Sequence, residues 1–403
     1  MSTRRRIAAI SMALLVSGTG LPATSTAATH DTPHLPKTVN APGTWSDDEA
    51  STGRLAAIGV AMRTRPSGLN GKRESPELFG VSATDGRSRW VELPGVGRDV
   101  LGLSTWMALS PDGRWLAWAR VETTNADSID ETTELLGWAV MSTMNRKVRN
   151  LDAPAGGRIR GTLADLVFSG DSRHLLASYE SADAPRTKGH EFVAWDVTDG
   201  TPTVLEKPGH YWLPNPGSAP DALVWARGRT VYRQDPVSGK RASYALSGNV
   251  VTASWSPNDT SFAYISQPAD LGGGQWVLHA GRSVEEARHH RVPLDVDPEE
   301  LLGWRDDRHV VVGHFRRNVQ VVDVVTGTVV TIDMAGRGKI FNAPLLATDL
   351  WQRPLGSVAK PSGTSDPRGP LRWAGGAIAV LLGGFLLLRL RRAPRSRSTI
   401  MTP

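Results

Sequence analysis

The chain has 403 residues, of which 40% are hydrophobic and none is cysteine. This length allows one large domain or two ordinary ones, and the lack of cysteine excludes disulfide cross-links. The formal net charge is +6, but without the three arginines near the N-terminus and the five after Trp373 the remaining residues 28–372 carry −2. The positive charge therefore belongs to the two ends of the chain, and we expect no nucleic-acid partner.

The N-terminus has the layout of an export signal. Three arginines precede an apolar run, Ile7 to Val16, and small residues follow as far as Ala27. The run is too short to span a bilayer but has the length found in secretory signal peptides. We expect residues 1–27 to be a signal peptide for the general secretory pathway. Thr3 to Ile7 also resembles a twin-arginine signal, so export by the twin-arginine pathway is the alternative. The Pro- and Thr-rich residues 28–45 are predicted to be a disordered linker.

One phrase recurs along the body of the chain, with an apolar residue, a polar turn and then an apolar strand. Proline followed by Asp or Asn and by Gly or Ser is typical of tight turns. After the first such turn, apolar residues from Trp115 to Ala119 fall on both faces, which predicts a strand buried between two stacked sheets. The copies read LSPDGRWLAWA at 109, FSGDSRHLLASY at 168, WSPNDTSFAYI at 255 and, shortened, WRDDRHVVVGHF at 304.

A second phrase alternates with the first and has the form of a β-hairpin. It reads LFGVSATDGRSRWVEL at 78, FVAWDVTDGTPTVL at 192, TVYRQDPVSGKRASYAL at 230 and VQVVDVVTGTVVTI at 319. Turns of this type often need one residue with a positive φ, which glycine adopts at no steric cost. The glycines predicted to fill that position are Gly86, Gly200, Gly239 and Gly327.

Together the two phrases predict four-stranded antiparallel units. Six such units arranged radially make a β-propeller, and a β-sandwich is the alternative. The predicted fold is therefore all-β, a six-bladed or alternatively seven-bladed β-propeller over residues 46–352. Ile340 to Trp351 is predicted to pack on the first or last blade and help close the ring, and the inserts 120–134 and 180–190 are predicted to be loops. The units span about 39–95, 100–152, 160–207, 208–248, 250–295 and 298–334, with first turns near Gly53, Asp112, Asp171, Asp221, Asp259 and Asp307.

The C-terminal end has the layout of a membrane anchor. Residues 353–372 are rich in Pro, Gly and Ser, which predicts a flexible stalk. Residues 373–390 are almost wholly apolar and are predicted to be one transmembrane α-helix, with Trp373 at the interface. Arginines then follow in residues 391–403, so the positive-inside rule places this tail in the cytoplasm. We therefore expect a single-pass protein of the cell membrane whose propeller lies outside.

The recurring SPDGRWLAWA and VxDxxTG phrases resemble those of TolB-type and WD-repeat-like bacterial propellers. The resemblance covers about 300 residues and is weakest at the fourth unit, HYWLPNPGSAPDALVW. Only Trp195-Asp196 matches the Trp-Asp dipeptide of true WD repeats, so the looser TolB-like class fits better. The resemblance implies an interaction platform, and a fold of this kind does not by itself fix a function.

No motif in the sequence predicts a catalytic, metal or cofactor site. No G-x-S-x-G elbow is present, and Ser110 to Trp115 is interpreted as a blade turn instead of a sialidase Asp-box. His289-His290 and the pair His309 and His314 would point to opposite faces of strands, with EEARHHR as a solvated hairpin. The patch Asp295, Asp297, Glu299 and Glu300 could hold calcium, but a solvated loop is the favoured interpretation.

Most of the fourteen tryptophans are predicted to lie in strands and to fill the core between blades. Trp212 falls in a predicted loop and could be an exposed stacking surface. The strand tryptophans are Trp106, Trp115, Trp118, Trp138, Trp195, Trp225, Trp255, Trp276 and Trp304.

The expected function is a non-enzymatic binding or scaffold module for a protein, peptide or envelope ligand, with an unknown site and no cofactor. One alternative is a propeller lyase or glycan hydrolase with dispersed catalytic residues. Three or more carboxylates or histidines at the central channel would favour it. The other alternative is a sensor that acts through a membrane partner, because the predicted tail is too short to be a domain.

Overall fold

The fold comes from a computed structural model of the chain. The predicted signal peptide, most of both predicted inserts and Trp212 lie outside the residues that it describes. Those residues are 32–46, 52–68, 71–94, 96, 106–121, 134–154, 156–161, 166–181, 190–207, 214–267, 275–294, 297–314, 318–334, 340–341, 344–357, 359, 365–366 and 368–392.

Polar turns divide the described chain into short apolar strands, which makes the protein all-β. In chain order these strands are β1 (Leu55–Ser67), β2 (Gly71–Ser82), β3 (Ser88–Trp90), β4 (Met107–Leu109), β5 (Trp115–Val121), β6 (Glu134–Ser142), β7 (Val148–Leu151), β8 (Ile159–Gly161), β9 (Val167–Phe168), β10 (His174–Ser181), β11 (Glu191–Asp196) and β12 (Pro202–Glu206). They continue as β13 (Asn215–Ser218), β14 (Leu223–Arg227), β15 (Thr230–Gln234), β16 (Arg241–Ala245), β17 (Asn249–Trp255), β18 (Phe262–Gln267), β19 (Val277–Gly281), β20 (Arg291–Val292), β21 (Glu300–Trp304), β22 (His309–His314), β23 (Asn318–Asp323), β24 (Val329–Asp333) and β25 (Leu345–Leu346).

Hydrogen bonding groups these strands into antiparallel meanders. Meander 1 runs β25-β1-β2-β3, and meander 2 comprises β4 to β7. Meander 3 comprises β9 to β12, and β8 pairs with both β6 and β10, which merges meanders 2 and 3 into one sheet. Meanders 4 (β13 to β16) and 5 (β17 to β20) are joined by one parallel contact, Ser218 with Ser254, and meander 6 comprises β21 to β24. Repeated four-stranded meanders of this kind are consistent with propeller blades.

Contacts at the turn between the first two strands join three of the neighbouring pairs of meanders. The Leu55 N–H donates to the Gly113 carbonyl at 2.9 Å, which links meanders 1 and 2. The Asp112 N–H donates to the Ser172 hydroxyl at 3.1 Å, which links meanders 2 and 3. Between meanders 5 and 6, the Asn258 side chain donates to the Asp307 carboxylate at 2.6 Å. The turns therefore act both within each meander and between neighbours.

The segment after meander 6 returns to β1. β25 pairs antiparallel with β1 through Ala57 with Leu346 and Ile58 with Leu345. The Ala347 N–H donates to Ala56 at 2.9 Å, and Ile340, earlier in the chain, forms a bridge with Ala61. The prediction that Ile340 to Trp351 packs on the first unit is confirmed for the described residues, because β25 adds a strand beside β1 at the edge of meander 1.

Residues 33–45 fall in the segment expected to be a disordered linker, and for them that prediction is wrong. Leu35 and Val39 are buried in the main core. The His34 N–H donates to Ala83 of meander 1 at 2.9 Å, and the Val39 N–H donates to Met334, next to meander 6, at 3.3 Å. The proline-rich composition hid this docking, because two apolar side chains and a few backbone hydrogen bonds are enough to order the segment.

The first residues of the predicted stalk are also packed. Gly356 forms a parallel bridge with Pro36, its N–H donates to Leu35 at 2.8 Å and its carbonyl accepts from Lys37 at 3.2 Å. Both ends of the described β-domain therefore lie beside each other on meander 1. The predicted flexible stalk cannot begin before residue 357.

Tryptophan and aliphatic side chains fill the space between meanders. Leu116 to Ala119 of β5 are all buried, as predicted for a strand covered on both faces. Trp118, Trp138, Trp195, Trp225, Trp255 and Trp304 are buried as predicted, whereas Trp115 is only partly buried. Trp106 and Trp276 are partly buried but lie just before β4 and β19, so their placement inside strands was wrong.

Three helices accompany the strands of the described chain. They are α1 (Val284–His289), a 3-10 helix (Thr348–Gln352) and α2 (Gly369–Arg392). Trp373 is 83% exposed, and the large apolar side chains of α2 from Ile378 to Leu387 are exposed as well. Among the residues that the structure describes, no helix combines the length and the apolarity needed to cross a membrane.

The docking of residues 33–46 gives the first prediction. Leu35 has no exposed surface, so Leu35→Ala should lower the free energy of unfolding of the full chain by about 2–5 kcal/mol in a denaturant titration. Val237→Ala is the control, because Val237 is 93% exposed and its truncation should change stability by less than about 0.5 kcal/mol. Equal unfolding midpoints for Leu35→Ala and the wild type would contradict the packing of this segment.

Candidate functional site

One cavity of about 570 Å³ lies where the first turns of the meanders meet. Each of the six meanders contributes to its wall, as does the 3-10 helix that follows β25. The lining residues are Arg54, Asp112, Gly170, Asp171, Ser172, Ser218, Pro220, Ser254, Trp255, Pro257, Asn258, Gly303, Trp304, Thr348, Asp349, Leu350, Gln352 and Arg353. Since clefts that collect polar groups from several elements are the usual ligand sites, this cavity is the candidate site.

A repeated turn builds the wall at meanders 2 and 3. The Ser110 hydroxyl donates to the Asp112 carboxylate at 2.7 Å and accepts from the Trp115 N–H at 2.9 Å. Ser169 makes the equivalent bonds, donating to Asp171 at 2.5 Å and accepting from the His174 N–H at 2.9 Å. Side chains of this kind replace backbone partners in tight turns, so the sequence phrase itself aims each aspartate at the cavity. The structure therefore places Ser110 to Trp115 in a tight turn between β4 and β5.

Asp349 is the most perturbed acid of the cavity. Burial raises the pKa of its carboxyl to about 6, with Asp112 and Asp171 adding repulsion and Arg54 opposing the rise. The backbone places it there, because the Asp349 N–H donates to the Pro111 carbonyl of meander 2 at 3.0 Å. The segment after β25 therefore carries a carboxyl that holds its proton at mildly acidic pH.

Asp171 behaves in the opposite way. Burial alone would raise its pKa, but the nearby His174 ring and hydrogen bonds from the Ser169 hydroxyl and the Arg173 N–H lower it below the ordinary value. The cavity thus places an acid that stays ionised near one that is easily protonated. Such a difference between neighbouring carboxyls is common at functional sites, although structural networks also produce it.

The remaining wall is polar with two arginines and buried tryptophan. The Trp304 indole N–H donates to the Ser254 hydroxyl at 3.0 Å, and both residues are buried. Arg353 donates to the Pro33 carbonyl at 3.3 Å, which ties the cavity rim to the docked N-terminal segment. Arg54 and Arg353 therefore face three aspartates, and the wall offers charges of both signs to a ligand.

The histidine pair at 289–290 does not lie on a solvated hairpin as expected. Ser283 caps the short helix α1 by accepting the Glu286 N–H at 3.1 Å, and the Glu286 carboxylate accepts the Arg282 N–H at 2.9 Å. His289 ends that helix and lies 3.2 Å from Glu285, while the His290 ring lies 2.7 Å from the Ala280 carbonyl. The Ser-x-x-Glu capping box was the signal that the sequence offered for this helix.

The other candidate residues do not join the cavity. His309 lies beside the Asp306 carboxylate at 2.8 Å, in the turn before β22. Asp297 and Glu299 precede β21, Glu300 begins it, and Asp295 lies outside the described residues. Within the described residues, no three His, Asp or Glu side chains lie close enough together to hold a metal ion.

Sequence reasoning found most of the turns of the cavity but missed Asp349. That residue lies in the apolar stretch IFNAPLLATDLWQ, where a single aspartate carries no motif. Its raised pKa arises mainly from burial and then from repulsion by Asp112 and Asp171, which are distant in sequence. The sequence offered one indirect indication. Ile340 to Trp351 was predicted to help close the ring, and a polar residue in such a segment would lie near the cavity.

Comparisons with known proteins leave the family open. No protein-family model matches the sequence, and no curated protein does either. Among solved structures, the chain is similar to TolB from Acinetobacter baumannii, with 13% identity over 76% of this chain and 68% of that one and a TM-score of 0.43. It is also similar to a chain of the Mitotic Checkpoint Complex, with 13% identity over 60% of this chain and 68% of that one and a TM-score of 0.40. Both TM-scores are low, so neither similarity establishes the fold. The all-β fold follows from the strand pairing within this chain.

The pKa of Asp349 gives a prediction about stability. The folded carboxyl keeps its proton up to about pH 6, whereas in the unfolded chain it ionises near its ordinary value of 3.8. Its contribution to the free energy of unfolding therefore falls as the pH rises between these values. Asp349→Asn should remove that contribution and stabilise the protein at pH above about 7 by up to roughly 3 kcal/mol, relative to wild type.

The measurement is urea unfolding of both proteins at several pH values from about 4 to about 8, with the difference between them plotted against pH. The exposed Glu92 supplies the control Glu92→Gln, which removes a carboxylate remote from the cavity. A difference that stays constant across this pH range would contradict the raised pKa of Asp349.

Proposed function

We propose that this protein is an exported, membrane-anchored six-bladed β-propeller that binds a protein or peptide segment in the cavity formed by its first turns. The observation that carries the proposal is that all six meanders supply residues to that one cavity. In a β-sandwich, the corresponding turns would be spread over both ends of two sheets. A radial arrangement brings them together on one axis.

Contacts between neighbours support a closed ring of six. Meanders 4 and 5 join through Ser218 and Ser254, and Arg233 of meander 4 pairs with Asp259 of meander 5 at 2.7 Å. The His34 and Val39 backbone bonds then connect meander 1 with the end of meander 6. The Trp225 indole N–H of meander 4 donates to Glu206 of meander 3 at 2.7 Å, so each of the six described meanders has two neighbours.

A polypeptide ligand fits the chemistry of the wall. Arg54 and Arg353 suit carboxylates, and the ionised Asp171 suits an amine or a guanidinium group. Hydroxyls such as that of Ser172 suit backbone amides. A wall with both signs of charge and little exposed apolar surface favours a polar segment of protein over a lipid or a purely apolar ligand.

The anchor is proposed from the C-terminal sequence. Residues 373–388 contain no charged side chain, and five arginines follow within ten residues. Side chains of α2 are described only as far as Leu387, and the proposed span extends to residue 390. Those that are described from Ile378 onwards are exposed, and a surface of this apolarity is favourable only against lipid or another protein. The propeller would lie outside the membrane and the arginine-rich tail in the cytoplasm.

Crosslinking from the cavity tests the binding proposal. A photo-crosslinking amino acid at Gln352, an exposed residue of the rim, should give a discrete adduct in cells. The same amino acid at the exposed Val237 is the control and should give none. Arg54→Gln should lower the yield from Gln352 severalfold, because a ligand carboxylate would lose its charged partner. Equal adducts from positions 352 and 237 would contradict a binding site in the cavity.

The carboxyls of the cavity favour a second candidate, a glycan hydrolase. Asp349 has a pKa near 6 and Asp171 remains ionised, which is the division of roles between a general acid and a base or nucleophile. Asp112 is the third carboxylate that lines this cavity, and a group of three carboxylates is what an enzymatic site of this kind would need.

Hydrolysis assays separate the two candidates. If the cavity is catalytic, the full chain should cleave envelope glycans, with a rate that falls as the pH rises through about 6 because Asp349 loses its proton. Asp349→Asn should abolish cleavage and Glu92→Gln should preserve it. Absence of cleavage by the wild-type chain would sink the enzymatic candidate and leave the binding proposal in place.

A further inference from the structure

The hairpin between β1 and β2 holds the chain at the point where α2 begins. Arg368, the residue before α2, donates to the carbonyl oxygens of Gly68 at 2.8 Å and Gly71 at 2.5 Å, at the tip of this hairpin. Its guanidinium lies 5.2 Å from the centre of the Trp45 ring, and the Asp366 carboxylate accepts two further bonds at 3.0 and 3.1 Å. Arg368 is only 8% exposed, so it forms a buried contact between the hairpin tip and the start of α2, called the junction below.

The junction fixes where the hairpin tip lies relative to the apolar helix. Trp373 is five residues beyond Arg368, which corresponds to about 7 Å along a helix axis. A tryptophan at the start of an apolar helix normally lies at headgroup depth. If α2 enters a bilayer at Trp373, the hairpin tip is held at the membrane surface.

The charge of the tip matches such a surface. Residues 63–77 hold four basic and two acidic side chains, a net charge of +2, whereas residues 28–372 as a whole carry −2. Arg65 is the cross-strand partner of Arg73, so two like charges face each other on one side of the hairpin. The exposed pairs of Arg65 with Glu77 at 3.1 Å and Lys72 with Glu74 at 2.7 Å offset this repulsion only weakly in water.

We propose that the tip of the β1–β2 hairpin is a second membrane contact, which binds anionic phospholipid headgroups through Arg65, Lys72 and Arg73. This inference rests on the proposed anchoring by α2. The two contacts, joined by Arg368, hold the β-domain in one orientation on the bilayer. A single helix on a flexible stalk would leave the domain free to turn.

The natural lack of cysteine allows a direct test. The full chain carrying Ser67→Cys, with a fluorophore at this exposed tip position, is reconstituted into vesicles that contain anionic lipid and a headgroup nitroxide quencher. The matched control carries the same fluorophore at Val237→Cys, in the turn between β15 and β16. We expect the tip fluorophore to be quenched and the control fluorophore to remain bright.

Two sets of variants separate charge from position. Arg65→Gln with Arg73→Gln should weaken the tip contact about fivefold for each charge removed, and by less at low anionic lipid content. Arg87→Gln with Arg173→Gln removes the same charge from two exposed positions elsewhere and should leave quenching unchanged. Arg368→Ala should release the tip from the start of α2 and reduce quenching, although Arg65, Lys72 and Arg73 are unchanged.

The possible failures can be told apart. If the chain does not float with the vesicles, anchoring by α2 is wrong and the inference falls with it. If the chain floats but the fluorophores at positions 67 and 237 are quenched equally, anchoring stands and the tip contact is overturned. The tip contact is also overturned if the Arg65 and Arg73 substitutions have no larger effect than their control pair.

Discussion

The structure depends on the closure of the β-domain by residues that are about as far apart in sequence as the chain allows. Backbone hydrogen bonds join Ala56 to Ala347, Leu35 to Gly356 and Val39 to Met334. Bringing such distant segments together costs conformational entropy that local hairpins avoid, and burial of side chains such as Leu35 and Leu350 offsets it. Closure also delivers Asp349 to the cavity three residues after β25, so the same contacts that complete the fold complete the site.

The turns that hold the meanders together also supply the polar side chains of the cavity. Asp112 and Asp171 accept hydrogen bonds that hold their own turns, so their position is set locally and needs no dedicated support. Close backbone approach between neighbours then demands small residues. A side chain at Gly113 would collide with the Leu55 carbonyl, and one at Gly170 would collide with that of Ala219. Glycine at these turns therefore serves the contact between meanders as well as the turn itself.

The sequence predicted what is local and repeated. Gly86, Gly200, Gly239 and Gly327 all adopt positive φ values, from 64° to 84°, because the hairpin phrase requires it. It failed where a few distant contacts outweigh composition, as at the Pro-rich residues 33–45, and where a cap was overlooked, as at Ser283 before α1. The pKa of Asp349 could not be predicted at all, because it depends on side chains that only the closed fold brings together.

The long first hairpin separates the cavity from the proposed membrane contact at its tip. Arg54 of the cavity immediately precedes β1, and Ser67 at the hairpin tip ends it. A strand of 13 residues spans about 40 Å, so the cavity and the tip lie at opposite ends of the same strand. With the tip and α2 at the bilayer, the cavity would face away from the membrane. A partner would then reach the cavity from the side opposite the bilayer, and the membrane anchor would leave the cavity accessible.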